Sequence, residues 1–187
     1  MQGKTHILCG MACGLAVATA AVGNSPESVG ILVGASAIGG LVPDIDHTHS
    51  MLGKRVPFVS YPILVLNKIF NFFANHTEGK LRKFFRYIAK MFGHRGICHS
   101  GILWAVLLWL AYQNLSTDVV SILLLGLAIG GMSHLIADTL NPSGIGWLLP
   151  VTDKRISLAR ITTGSNAEMV FRVVILLLDV FLIYRLF

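Results

Sequence analysis

The chain has 187 residues, of which 54% are hydrophobic and 13% are charged, and its formal net charge is +6. Its mean hydropathy of +0.70 exceeds what a soluble domain of this size can bury, so the composition excludes a water-soluble globular protein. The basic residues lie between apolar segments, which indicates membrane topology and argues against nucleic-acid binding. Three cysteines make an odd count and predict no disulfide framework.

Five apolar segments predict an all-α, polytopic membrane protein with about five transmembrane helices, folded as one integral membrane domain over residues 1–187. In chain order they cover residues 7–23, 29–42, 101–115, 119–140 and 169–187. The first segment follows Lys4 and contains small residues at 16, 18 and 20, so a cleaved signal peptide is its alternative interpretation. The second apolar segment follows almost at once, which favours a membrane span.

The distribution of lysine and arginine predicts how the chain crosses the membrane. The loops at 24–28 and 116–118 contain neither residue, whereas the stretches 43–99 and 141–168 contain many. Because positively charged loops stay in the cytoplasm, we expect an inner (plasma) membrane protein with a cytoplasmic N-terminus and an outer C-terminus.

The cytoplasmic-side loop at 43–99 contains a predicted amphipathic helix. Its apolar residues recur at helical spacing, and five cations fill the other positions: Leu81, Phe84, Phe85, Ile88 and Met91 against Lys80, Arg82, Lys83, Arg86 and Lys90. Such a helix lies in the membrane interface and contacts anionic lipids. A solvated basic helix is the alternative.

Glycines four residues apart recur in three of the apolar segments. The pairs are Gly10 with Gly14, Gly30 with Gly34, and Gly126 with Gly130. This small-xxx-small spacing predicts close helix packing.

Metal-capable side chains from four separate segments fall on the same predicted membrane face. These are His6, the group Asp44, Asp46 and His47, the pair His94 and His99, and the pair His134 and Asp138. His134 and Asp138 are four residues apart, so they project from one side of a helix. Ionisable groups inside a span are costly unless paired or metal-bound, which favours function over a structural hydrogen bond.

The ligand types restrict the metal. Imidazole and carboxylate together suit zinc first, and also manganese or iron, better than calcium or magnesium. The number of ligands exceeds the four that one tetrahedral ion needs, so one or more ions fit the set.

Five sequence blocks in chain order resemble the YdjM-like family of predicted membrane-bound, metal-dependent hydrolases. They are Thr5-His6, Val42-Pro43-Asp44-Ile45-Asp46-His47, Gly93-His94-Arg95-Gly96-Ile97-Cys98-His99-Ser100, Ser133-His134-Leu135-Ile136-Ala137-Asp138 and Gly164-Ser165-Asn166-Ala167-Glu168. The chain departs from the family at Cys98, where a threonine is expected, and in a long insertion at 67–91. The family is distantly similar to zinc-dependent phospholipase C and P1-type nucleases, which implies a phosphoester substrate such as a phospholipid.

The resulting hypothesis is metal-dependent hydrolysis at the inner leaflet, with membrane lipids as partners. The predicted metal ligands are His6, Asp44, His47, His94, His99, His134 and Asp138. Asp46 and Glu168 are predicted as bases or further ligands, and Arg95 as a phosphate-binding group, because its planar fork donates two hydrogen bonds. The alternatives are a non-catalytic structural metal site and an ion transporter.

Overall fold

The computed structural model describes residues 1–21 and 25–186, and this part of the chain folds into seven α-helices and two short 3₁₀ helices. The α-helices are α1 (Gly3–Ala21), α2 (Pro26–Gly39), α3 (Pro57–Asn75), α4 (Gly79–Met91), α5 (Gly101–Gln113), α6 (Val119–Thr139) and α7 (Asn166–Leu186). The 3₁₀ helices cover Val42–Asp46 and Ile97–His99. The end of the first predicted segment, the start of the loop at 24–28 and residue 187 lie outside the described residues.

The prediction of an all-helical, polytopic membrane protein is confirmed. Three helical stretches in the described ranges are long and apolar enough to cross a membrane: Pro26–Asp46, Pro57–Asn75 and Val119–Thr139. Each of the five predicted segments contains a helix, but the count of five spans is not reached by this criterion. Helix α5 has only 13 residues, and α7 carries Arg172, Asp179 and Arg185.

Helices α1, α2 and α6 form the centre of the fold, with their backbones in close contact. A methyl group added at Gly10 or Gly14 of α1 would overlap Ser36 of α2. Gly126 and Gly130 of α6 are equally crowded against α2. Small residues permit this approach between membrane helices, so the packing predicted for these two pairs agrees with the structure.

The third glycine pair does not pack as predicted. A Cβ atom built on Gly30 or Gly34 has no described atom within 4 Å, apart from those of its own helix. The spacing that marks a helix contact therefore also occurs on an open face of α2, because spacing alone does not say which face meets a neighbour.

Helices α3 and α4 form a hairpin whose two arms pack on each other. The rings of Phe70 and Phe73 stack on Phe85, with centroids 6.4 and 5.2 Å apart. Helix α4 occupies the predicted amphipathic segment, but α3 was not predicted as a helix. Pro62 within it and the polar residues near its middle interrupt the apolar pattern.

Helix α5 is held at its first turn by the segment that follows α6. The Ser100 hydroxyl accepts a hydrogen bond from the Leu103 backbone N–H and so caps the N-terminus of the helix. The same hydroxyl donates to the Leu149 carbonyl, and Gly101 lies directly against Trp147. These contacts fix the position of His99, which immediately precedes the cap.

Candidate metal centre

The inner part of α6 brings His134 and Asp138 to the centre of the molecule, one turn apart and both buried. His134 Nδ1 lies 2.7 Å from the Gly40 carbonyl oxygen. A carbonyl only accepts hydrogen bonds, so Nδ1 carries the proton and Nε2 keeps its lone pair. His6 of α1 stacks on the His134 ring with centroids 3.7 Å apart, and its Nε2 lies 3.3 Å from Asp138 Oδ1.

The 3₁₀ helix after α2 supplies two more carboxylates. Pro43 lies in its first turn, where a fixed φ suits a helix start. Asp44 and Asp46, two residues apart, then lie on either side of the His99 ring. His99 Nε2 is 3.3 Å from Asp44 Oδ1, and His99 Nδ1 is 3.3 Å from Asp46 Oδ2.

His99 is fully buried between these carboxylates, and its protonation responds to them. Burial on its own lowers the pKa of His99, but the close contacts with Asp44 and then Asp46 outweigh it and raise the pKa to about 9. With only protein groups around it, His99 therefore carries a proton at neutral pH. A metal ion bound by its nitrogen would displace that proton.

The solvent side of the cluster is formed by His94 and His47. The His94 side chain is 44% exposed, and its Nδ1 lies 3.0 Å from Asp46 Oδ1. The His47 ring lies 4.8 Å from the His94 ring, and partial burial followed by the His94 charge lowers the pKa of His47. The cluster thus extends from a buried interior to an accessible rim.

Three overlapping sets of side chains place one ligand atom each within 4.8 Å of one another. The sets are His6 with His134 and Asp138, Asp44 with His99 and His134, and Asp46 with His94 and His99. Six of the seven predicted ligands belong to them, and so does Asp46, which was predicted as a base. His47 belongs to none of the three sets within the described ranges and lies beside them at the rim.

Several buried ligand atoms have no hydrogen-bond partner among the described residues: both ring nitrogens of His6 and of His99, Nε2 of His134 and Oδ2 of Asp46. Nearly all buried polar atoms in proteins are hydrogen-bonded. These ring nitrogens lie 3.3–3.7 Å from carboxylate oxygens without forming hydrogen bonds to them. Two ligands about 2.1 Å from one tetrahedral zinc ion lie about 3.4 Å apart, so the donor set fits a metal ion.

Asp138 is surrounded by positive and polar donors. Arg95 Nη2 donates to Asp138 Oδ2 at 2.8 Å, and the Met1 amino group and Asn141 Nδ2 donate to Oδ1. Arg95 has a left-handed φ of +63°, a costly conformation outside glycine, and also donates to Ser143. The predicted phosphate-binding Arg95 therefore binds Asp138 in this structure. Asn141 is a contact that the sequence analysis missed, although its spacing of three from Asp138 is a signal for it.

Glu168 is predicted as a base or a ligand, but in the described part of the chain it belongs to none of the three ligand sets. Its carboxylate accepts hydrogen bonds from the backbone N–H groups of Gln2 and Gly164, each at 2.6 Å, and from the Thr5 hydroxyl at 2.7 Å. Arg172 also donates to Thr5. These bonds join the start of α7 to the start of α1, which is a structural role.

Replacing Glu168 by alanine is expected to destabilise the protein and leave its metal content unchanged. The three donors would lose their acceptor, and each buried donor left unpaired costs about 1–3 kcal/mol. Thermal unfolding in detergent measures the first effect and elemental analysis the second. Glu27→Ala is the control, because Glu27 is exposed in the first turn of α2. Loss of metal at unchanged stability would instead indicate that Glu168 is a metal ligand.

The cysteines lie outside the ligand sets of the described chain. Burial raises the pKa of Cys98 to about 11, so its thiol stays neutral at physiological pH. The carbonyl of Cys98 accepts a hydrogen bond from Trp104 Nε1 at 2.7 Å. Cys98 therefore contributes its backbone to the support of this region, and not a thiolate.

Comparison with known proteins identifies the family of the chain. The model of the YdjM inner membrane protein family matches residues 1–186. The chain belongs to this family. It is 30% identical over 187 residues to the uncharacterized protein YvsG of Bacillus subtilis (strain 168), covering 100% of this chain and 97% of that protein.

A second relative in the YdjM family matches a shorter stretch. The chain is 32% identical over 112 residues to the inner membrane protein YdjM of Escherichia coli (strain K12), which covers 59% of this chain and 44% of that protein. No solved structure matches the chain. Membership of the YdjM family supports an inner-membrane location.

Proposed function

We propose that the protein is a membrane-embedded, metal-dependent hydrolase whose site opens at the cytoplasmic face and acts on a phosphoester. The proposal rests on the buried ring nitrogens and the carboxylate oxygen that have no hydrogen-bond partner in the described part of the chain. Unsatisfied polar atoms are costly to bury. A shared cation satisfies these lone pairs at once, because imidazole and carboxylate are its ordinary ligands.

The primary ligands in this proposal are His134, His99 and Asp44. His134 offers Nε2, because its Nδ1 is committed to the Gly40 carbonyl, and that Nε2 lies 3.7 Å from Asp44 Oδ1. His6 and Asp138 form a neighbouring set with the same His134. They complete the coordination of one ion or contribute to a second. Zinc suits these ligands best, and manganese or iron also suit them.

The groups behind the ligands match what metal sites require. A metal-bound histidine usually donates its other N–H to a backbone carbonyl or a carboxylate, which orients the ring. The Gly40 carbonyl stands in that position for His134. Asp46 Oδ2 lies 3.3 Å from His99 Nδ1, where it would accept the N–H of His99 once a metal binds the other ring nitrogen. Asp46 is in turn contacted by His94. Asp46 therefore orients His99 in this proposal.

In hydrolysis of a phosphoester, a water oxygen adds to phosphorus, the ester P–O bond breaks, and a proton of the water passes to the leaving alkoxide. A bound metal supplies hydroxide at neutral pH by lowering the pKa of water to about 7. Arg95 holds Asp138 in place through its guanidinium. His94, at the exposed rim, lies where water and products exchange with solvent.

The distribution of charge supports the cytoplasmic orientation in this proposal. The α3–α4 hairpin and the segment between α6 and α7 carry most lysines and arginines, and these regions flank the metal ligands. The exposed cations of α4 attract anionic headgroups by about 1 kcal/mol each. Membrane lipids are thus the expected partners of this face, and a phospholipid is the expected phosphoester.

Inverted inner-membrane vesicles with zinc or manganese in the medium should hydrolyse short-chain phosphatidylglycerol or bis(p-nitrophenyl) phosphate added from outside. Sealed right-side-out vesicles, whose site faces the lumen, should not. A membrane-impermeant chelator in the medium should abolish the hydrolysis by inverted vesicles. Asp44→Asn should abolish the hydrolysis of both substrates, because an amide is a weak metal ligand. His49→Gln is the matched control, since His49 is exposed and lies outside the ligand sets of the described chain. Bound metal without hydrolysis of any phosphoester tested would leave the structural metal site as the better assignment.

Ion transport is a second candidate because of one residue in α7. Asp179 is buried within this apolar helix, and neither of its carboxylate oxygens has a partner in the described residues. Acidic residues inside spans often mark ion or proton pathways. Metal-independent proton or cation flux in proteoliposomes would favour this function over hydrolysis.

A further inference from the structure

An apolar groove runs along the membrane side of the molecule between α5 and α6. Its volume is about 560 Å³, and Leu107 and Ala111 of α5 and Leu124 of α6 are among the residues that line it. The Leu107 and Leu124 side chains are 39% and 54% exposed. The groove is therefore open toward the hydrocarbon of the bilayer.

The inner end of this α5–α6 groove borders the candidate metal centre. It is bounded by Val42 and Trp104. Val42 is the first residue of the 3₁₀ helix that carries Asp44. Trp104 donates to the carbonyl of Cys98, the residue before His99. A molecule that fills the groove thus has one end beside the proposed ligands.

The length of the groove matches one lipid chain. Along α5 it extends from Trp104 to Asn114, and this rise along the helix is about 15 Å. The hydrocarbon core of a bilayer is roughly 30 Å thick, so one leaflet contributes about 15 Å. One extended acyl chain therefore fits the groove from end to end.

The two ends of the groove differ in charge. The outer end contains Asp118, whose carboxylate caps α6 by accepting hydrogen bonds from the backbone N–H groups of Val120 and Ser121. An acidic group repels an anionic headgroup. The inner end borders the segments that carry Asp44 and His99, and a metal held by these ligands would attract phosphate. An anionic phospholipid fits with its headgroup inward.

We infer that the α5–α6 groove holds an acyl chain of an anionic phospholipid whose phosphate lies at the metal centre. The natural substrate is then a membrane lipid, and hydrolysis of a water-soluble diester reports only the metal chemistry of the same site. This inference rests on the proposed function, because it assigns the substrate of the same site.

Photo-crosslinking of the full-length protein in nanodiscs tests the position and direction of the chain. The probe is phosphatidylglycerol with a diazirine at the end of one acyl chain, compared with the same lipid carrying it next to the ester. The terminal diazirine should label the Asn114 and Val120 end, and the ester-proximal one should label the Trp104 and Val42 end. The reverse order would mean a lipid of the outer leaflet and would overturn the inference.

Two substitutions of alanine by tryptophan on α5 provide the matched comparison. Ala111 lines the groove, whereas Ala105 is exposed on the same helix outside it. Ala111→Trp should reduce groove labelling by about tenfold through overpacking, and Ala105→Trp should leave it unchanged. Equal labelling of both variants, or uniform labelling of all exposed helices, would mean that the probe reports only bulk bilayer lipid. Either result would overturn the inference.

Metal content measured on the same preparations separates the two proposals. Metal retained without selective groove labelling overturns the lipid assignment and leaves metal binding intact. Selective groove labelling in a folded protein that binds neither zinc nor manganese overturns the proposed metal chemistry, and with it the assignment of the phosphate to that centre.

Discussion

Replacing His134 by alanine is expected to remove bound metal from the purified protein. His134 is shared by two of the three ligand sets, so its loss breaks both. Changes behind the ligands alone cost about 10–100-fold in metal affinity, and loss of a shared ligand should cost more than about 100-fold. Elemental analysis of wild type and variant in detergent, after incubation with zinc, measures the effect.

Two further variants make this result specific. His49→Ala should retain stoichiometric metal, because His49 is exposed outside the ligand sets of the described residues. Asp46→Asn should weaken binding by about 10–100-fold without abolishing it, since Asp46 is assigned to orient His99. Unchanged metal content in a folded His134→Ala protein would contradict the proposed metal centre.

Replacing Gly130 by alanine is expected to destabilise the protein by about 1–3 kcal/mol or more. The added methyl group would overlap the carbonyl oxygen of Ser36 and the backbone around Gly40, and backbone cannot move aside as a flexible side chain can. The Gly40 carbonyl also accepts from His134, so metal affinity should fall with stability. Thermal unfolding in detergent, with and without zinc, measures both.

Gly34→Ala is the control for this prediction. Gly34 lies on α2, where an added Cβ meets no described atom within 4 Å beyond its own helix. Alanine favours a helix over glycine by about 1 kcal/mol, so this variant should be as stable as wild type or more stable. Equal destabilisation by both substitutions would mean that α2 and α6 do not approach as described.

The sequence predicts the site better than it predicts the surroundings of the site. His134 and Asp138 are visible because helical spacing places them on one side of a span. The pairing of Asp46 with His99 is not visible, since it depends on how a 3₁₀ turn meets a distant loop. The support of His134 by Gly40 comes from a backbone carbonyl, which every residue has and no residue type reveals.

Two further differences have local physical causes. Helix α3 escapes an apolar-segment analysis because Pro62 and polar residues near its middle break the pattern. Glu168 is predicted as a site residue by its ionisable side chain and by its place in a motif. Three hydrogen bonds assign it to the α1–α7 junction, and such saturation is known only once the partners are placed.

The shortness of α5 has a consequence for the bilayer around the protein. Its 13 residues rise by about 20 Å, whereas the hydrocarbon core is roughly 30 Å thick. A bilayer accommodates such hydrophobic mismatch by thinning beside the short helix. The headgroup layer is then drawn toward the middle of the bilayer at the first turn of α5, next to His99. Lipids reach that depth without leaving their leaflet.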